Sequence, residues 1–303
     1  MPVEVTYRSG GLDCAADLYL PADLQAGERR PGLVLGHGFS LVKAMLAAQA
    51  ECFCAAGFVV MAIDYRSFGL SAGEPRGQLF PMNLAEDYRN AMSWLQQRPE
   101  VDGARIGIWG ASFAGALVSY VAALDRRVGA TVAVVPVTDG YGWLRLLRSE
   151  GKWSELLTAL EADRARRHAG EASARIPVCG PEGTLCGIPS EPAIVEFFAQ
   201  AKQLFPTWRD SITLESLEKI LEFSPLAFVD RISPRPYLII STAGHDVVHP
   251  AHTVADLYAR AREPKRLEFL PFSQLGLYAE PGLSTANNLA CAFFVERLGP
   301  LPG

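Results

Sequence analysis

The sequence predicts an α/β protein: a mostly parallel, doubly wound sheet with a helical segment inserted late in the chain. Three observations predict it. Short apolar runs without alternation recur at 33–35, 58–63, 106–109 and 131–135, as expected of strands covered on both faces. Helical patterns separate these runs, and strands alternating with helices argue for a parallel sheet. From about 140 to 230 the rhythm changes. Trp143, Leu144, Leu146 and Leu147, then Trp153, Leu156, Leu157 and Leu160, fall at helical spacing with no strand between them.

The elements follow in order. Val3, Val5 and Tyr7, then Leu12, Cys14, Ala16 and Leu18, alternate on either side of Gly10-Gly11 and predict a hairpin of half-buried strands. A helix is predicted over roughly 44–56. Another begins near Asn83, with Glu86 three residues on as a capping box and Leu84, Tyr88, Ala91, Met92 and Leu95 facing inward. The inserted segment continues through a Pro-, Gly- and Cys-rich loop at 177–192 to helical runs at 193–204 and 213–221. Strands resume at 236–240 and 267–270, and a helix over 285–298 closes the chain. This divides the chain into a core (1–140), a helical cap (141–232) and a second part of the core (233–303). The cap is expected over the C-terminal edge of the sheet, where open α/β sheets bind ligands.

Composition narrows the function classes. The chain has 303 residues, about half apolar, and a net charge of −5. The basic run at 164–168 has acidic neighbours and reads as a solvated helix face, so no nucleic-acid partner is expected. No apolar run is long enough to cross a bilayer, and the N-terminus lacks a basic-then-apolar leader. A cytoplasmic location with no membrane partner is the expectation. The six cysteines show no metal-type double pair and are read as reduced thiols. No cofactor or metal is expected, and the oligomeric state stays open, a homodimer included.

The most informative motif is Gly110-Ala111-Ser112-Phe113-Ala114-Gly115, between the run at 106–109 and the helical run at 116–120. Strand, Gly-x-Ser, helix is the layout of a nucleophile elbow, which lifts a serine onto a tight turn. A serine so placed can attack a carbonyl if a base takes its proton. Ala114 stands where the general pattern has its second glycine.

Further motifs occur in a fixed order: His37-Gly38-Phe39-Ser40, Asp64-Tyr65-Arg66-Ser67-Phe68-Gly69-Leu70-Ser71, the Ser112 elbow, and Glu263-Pro264-Lys265-Arg266-Leu267. With them the chain resembles the bacterial α/β-hydrolase superfamily, in its dienelactone-hydrolase and X-Pro-dipeptidyl-peptidase-like branch with a helical cap. The resemblance implies an oxyanion hole from the backbone N–H groups of Phe39 and Phe113, with His37 in a structural role. Asp64 and Arg66 are expected to tie their own loop together. Asp246, in the loop 244–250 after a strand, falls at the place of the triad acid. His245, His249 and His252 flank it without the further ligands a metal would need. Asp139 is read as a residue of the hinge to the cap.

The resemblance places the triad histidine after the last strand, and there the chain reads Leu270-Pro271-Phe272-Ser273-Gln274-Leu275-Gly276-Leu277-Tyr278. Gln274 falls on the histidine, and no histidine follows His252. A glutamine cannot carry a proton near neutrality. The expected catalytic set is therefore Ser112, Asp246 and Gln274, a degenerate triad, with His37, Trp143 and His249 around the substrate. Phe272, Ser273 and Gly276 also depart from the family pattern, which argues against one engineered change. Two explanations remain. The base has moved to a cap residue, to His249 or to the substrate, or the scaffold serves another purpose. The leading expectation is an enzyme acting on an ester, thioester or carbon–carbon bond of a small apolar or aromatic carbonyl compound. The alternative is a cyclase, isomerase, lyase or ligand-binding protein. On this reading Gln274→His raises hydrolytic activity.

Overall fold

The computed structural model describes residues 2–244 and 246–299. The chain opens with the antiparallel pair β1 (Val3–Ser9) and β2 (Leu12–Tyr19), joined at Gly10-Gly11. Both turn glycines have positive φ, a conformation that residues bearing a Cβ rarely adopt. Then come β3 (Arg30–Gly36), α1 (Ala47–Ala55), β4 (Val59–Ile63), α2 (Pro81–Gln96), β5 (Val101–Ala111), α3 (Phe113–Leu124) and β6 (Val128–Val134).

The insertion holds α4 (Gly140–Leu146), α5 (Glu150–His168), β7 (Arg175–Pro177), β8 (Cys179–Pro181), β9 (Ile188–Ser190), α6 (Pro192–Leu204), β10 (Ser211–Thr213) and α7 (Glu215–Leu221). The core resumes with β11 (Tyr237–Thr242), α8 (Ala251–Arg260), β12 (Lys265–Leu270) and α9 (Gly282–Leu298). Among the described residues no helix is long and apolar enough to cross a membrane.

The main sheet has eight strands in the order β1-β2-β4-β3-β5-β6-β11-β12, and the six from β4 to β12 are parallel. Successive side chains of a strand point to opposite faces. Each apolar run therefore feeds two cores. Val59, Met61 and Ile63 pack with α2 and α3 on one face, while Val60 and Ala62 pack with α1 and α9 on the other. This explains why the runs do not alternate in sequence.

Two local expectations are corrected. The second helix starts at Pro81 rather than near Asn83, and its N-cap residue Phe80 makes no side-chain cap. Proline suits the first helical position because its missing N–H would have no partner there. Glu86 instead meets Arg66, with Nη2 2.6 Å from Oε2, so no capping box forms. The insertion is also not purely helical: β10 pairs with β7 and β8 with β9, three residues each. Strands this short leave too little alternation to read.

Candidate active site

Strand β5 ends at Ala111, and Ser112 turns the chain into α3 with φ 57° and ψ −119°. Positive φ is costly for a residue with a Cβ, and the surrounding packing holds it there. The close approaches are specific. A Cβ on Gly110 would lie 2.4 Å from the Ala114 carbonyl oxygen, and one on Gly115 would lie 2.9 Å from Pro136 Cα. Ala114 therefore fits because Gly110, which it packs against, has no Cβ, while Gly115 is needed for the approach to Pro136. The Ser112 N–H donates to Val134 O at 2.8 Å, tying the turn to the neighbouring strand.

The group beside Ser112 is an imidazole, and it belongs to His249. Ser112 Oγ and His249 Nε2 are 2.8 Å apart, and His249 Nδ1 is 3.2 Å from Asp246 Oδ2. Asp246 shapes its own loop as well: its Oδ1 accepts from the N–H of Val248 at 2.9 Å and of His249 at 2.8 Å. Burial alone would raise its carboxyl pKa. The hydrogen bonds from the His249 side chain and from the backbone N–H donors outweigh burial and hold it below the ordinary value. An ionised carboxylate only accepts, so Nδ1 carries the proton and Nε2 is free to accept from the Ser112 hydroxyl.

Gln274 does not stand between Ser112 and Asp246. It shares with Ser112 the lining of a narrow cavity of about 30 Å³, and its buried Oε1 has no hydrogen-bond partner among the described residues. The expectation that residue 274 takes the place of the base is corrected. The loop after β12 brings an amide to the cavity, while the loop after β11 brings the imidazole. The expectations for His37 and Trp143 change too. His37 is 1% exposed beneath its loop, edge-on to Tyr65 and Phe68, with Nδ1 3.0 Å from Gly38 O. Burial pushes its pKa down to about 4, so it stays neutral at physiological pH. Trp143 Nε1 donates to Val248 O at 2.9 Å and so braces the loop that carries His249.

Phe39 lies against Phe113 and Trp143, at ring separations of 5.9 and 5.6 Å. A Cβ on Gly38 would sit 3.5 Å from Ser112 Cβ, which measures how closely this loop covers the elbow. The N–H groups of Phe39 and of Phe113, the first residue of α3, have no acceptor among the described residues. Asp64 and Arg66 tie loops as expected. The Asp64 carboxylate accepts from Lys43 N and Leu70 N, and Arg66 reaches the buried Asp87 and Ser9. Burial raises the Asp64 pKa to about 6 despite those N–H donors. Asp139 caps α4 through Gly142 N at 2.7 Å. His245 lies outside the described residues.

The insertion reaches this site. Ile188, Ile194, Phe197 and Phe198 line the Ser112 cavity with Phe39, Val248 and Tyr278. Trp208 Nε1 donates to Ser40 O at 2.7 Å. Two tryptophans of the insertion therefore hold carbonyls of two loops that border the serine. A hydroxyl bonded to an imidazole, which is bonded in turn to a carboxylate, is the arrangement that activates serine for acyl transfer on several unrelated folds.

Comparison with known proteins agrees with this fold. Residues 10–271 match the family described as X-Pro dipeptidyl-peptidase (S15 family). A polyketide transferase of a Penicillium species, grgF, is 30% identical over 247 residues, covering 81% of each chain. A thiohydrolase of Aspergillus aculeatus, aneE, is 29% identical over 281 residues, covering 88% of this chain and 85% of its own. The crystal structure of the α/β hydrolase GrgF from Penicillium superposes with a TM-score of 0.83 at 25% identity, over 98% of this chain and 99% of its own. These three are fungal; a quorum-quenching protein of the bacterium Acinetobacter baumannii, AidA, is 32% identical over 183 residues, covering 60% of this chain and 59% of its own.

Proposed function

The chain belongs to the X-Pro dipeptidyl-peptidase (S15) family and has the α/β-hydrolase fold, and from that premise we propose that it is a serine acyl-transfer enzyme. Its substrate is a thioester or ester of a small, largely apolar acyl group. The observation that carries this reading is the 2.8 Å contact of Ser112 Oγ with His249 Nε2, backed by Asp246. Ser112 attacks the carbonyl carbon while its proton passes to His249 Nε2. The N–H groups of Phe39 and Phe113 hold the alkoxide that forms. As the tetrahedral intermediate collapses, the carbon–sulfur or carbon–oxygen bond breaks and His249 returns the proton to the leaving group. Water or an acceptor hydroxyl then attacks the Ser112 ester, again with His249 as base, and frees the serine.

In this reading the segment 141–232 is a cap. Support comes from Ile188, Ile194, Phe197 and Phe198, which give the Ser112 cavity an apolar wall. The names of the two relatives, a thiohydrolase and a polyketide transferase, favour thioesters over carbon–carbon bonds. A short acyl thioester of N-acetylcysteamine tests the proposal. The expected result is an acyl adduct on Ser112 by mass spectrometry, absent from Ser112→Ala, together with thiol release. Turnover that survives Ser112→Ala would overturn it in favour of a reaction that uses the pocket without a covalent intermediate.

A further inference from the structure

A second cavity of about 240 Å³ adjoins the narrow space at Ser112, and Gly38, Leu41, Phe197 and Tyr278 are walls of both. Its floor is the end of β5, at Trp109 and Ala111, three residues and one residue before the serine. Its sides are the start of α1 and Leu283 of α9, and its roof is α6 with Phe197, Ala201 and Leu204. Most of this lining is aliphatic or aromatic, as suits an acyl chain.

Two buried polar groups in the lining do not fit a plain hydrocarbon. Among the described residues, Trp109 is 3% exposed and its Nε1–H has no hydrogen-bond partner; Gln49, in the first turn of α1, is 5% exposed and its Oε1 has none. The other polar lining residues are Gln200, which is exposed, and Tyr278, which is half-buried. A buried donor or acceptor left unmade is costly. Neither group is needed to hold a neighbouring element, because neither atom bonds to one. A hydrocarbon chain in this cavity would leave both unsatisfied.

We infer that Gln49 and Trp109 form a hydroxyl-recognition subsite, which selects acyl groups that carry an alcohol along an otherwise apolar chain. The inference rests on the acyl-transfer reading given above and deepens it. A hydroxyl is the small group that answers both partners at once: its O–H donates to Gln49 Oε1 and its oxygen accepts from Trp109 Nε1–H. A ketone could answer only the tryptophan, and a carboxylate would face the glutamine oxygen with like polarity. A site built to bond a substrate hydroxyl rejects the analogue that lacks it, because the protein groups are then left unpaired. The subsite therefore acts on the choice of substrate and not on the bond-breaking step.

The test compares the octanoyl thioester of N-acetylcysteamine with its monohydroxylated derivatives, a set of positional isomers with the hydroxyl at each position along the chain. The expected result is that at least one isomer exceeds the unsubstituted thioester in kcat/KM by about tenfold or more. In Gln49→Leu and Trp109→Phe, which keep the volume or the ring, that ratio should fall towards one. Because it is taken within each variant, a partial loss of folded enzyme cancels. Two variants on different elements guard against one that fails to fold. Acylation of Ser112 without preference for any isomer, or a preference unchanged in both variants, overturns the subsite and leaves the proposed function standing. No acylation by any of the thioesters overturns both.

Discussion

The loops that follow β11 and β12 both end near the same serine, and they bring different chemistry to it. The first runs from the end of β11 to the start of α8 and folds on itself. The Asp246 carboxylate accepts two backbone N–H groups of its own loop, and this local turn aims His249 back at Ser112. Trp143 fixes the loop from the insertion side through Val248 O. The second loop passes into a short 3-10 turn at Leu275–Tyr278 and offers Gln274, whose Oε1 has no partner among the described residues. The difference teaches that the base of the proposed reaction is defined by where an imidazole can reach, not by its place along the chain. Acid and base three residues apart on one loop give the same chain of hydrogen bonds as a pair drawn from two loops.

That comparison can be broken by exchange. The largest effect is expected for His249→Ala. Loss of the histidine in a serine hydrolase triad costs on the order of a million-fold in turnover, and steady-state thioester hydrolysis should show a loss of that order. Similar losses in His249→Ala and Gln274→Leu would erase the distinction between the loops. Asp246→Asn comes next, at roughly ten-thousand-fold, because an amide no longer holds the imidazole in the productive tautomer. A loss below about tenfold would mean that the carboxylate serves the turn alone.

The third test separates His249 from the other buried histidine at this sheet edge. Burial holds His37 near pKa 4, against an ordinary value of 6.5. As pH falls through that window the unfolded chain takes up a proton that the native state refuses, so stability present above about 6.5 is lost towards 4. His37→Gln removes this loss. Relative to the parent it should gain roughly 3 kcal/mol between neutrality and about pH 4, from the difference in pKa at 1.36 kcal/mol per unit. Asp64 acts with the opposite sign, since its raised carboxyl takes up a proton in the native state first, but it is present in both proteins and cancels. Urea denaturation at the two pH values measures the gain, and parallel curves would show that His37 is not held neutral.

Trp143→Phe keeps the ring contact with Phe39 but leaves Val248 O without its donor. About 1–3 kcal/mol of stability should be lost, with slower thioester turnover as the His249 loop loosens. A stable variant with unchanged kcat would show that the loop needs no brace. The smallest effect is expected for Gln274→His. Ser112 already has an imidazole, so turnover should stay within about tenfold of the parent. A large gain would return the base to the second loop.

Much of this was legible in the sequence because it depends on neighbours in the chain. The apolar runs marked the strands, Gly10-Gly11 marked the hairpin, and the small residues around Ser112 marked the elbow, where Gly110 and Gly115 permit approaches that a side chain would block. The position of Asp246 after a strand was legible for the same reason. Tertiary structure alone decided which side chain meets Ser112. A linear pattern aligned Gln274 with the expected base, while the contact that forms spans 137 residues of chain between Ser112 and His249. Asp246 and His249, three residues apart, were the available signal, but their spacing does not say that the loop curls towards the elbow. That direction is set by two backbone N–H groups turned onto a carboxylate and by an indole from the insertion, and these meet only when the sheet and its roof have assembled.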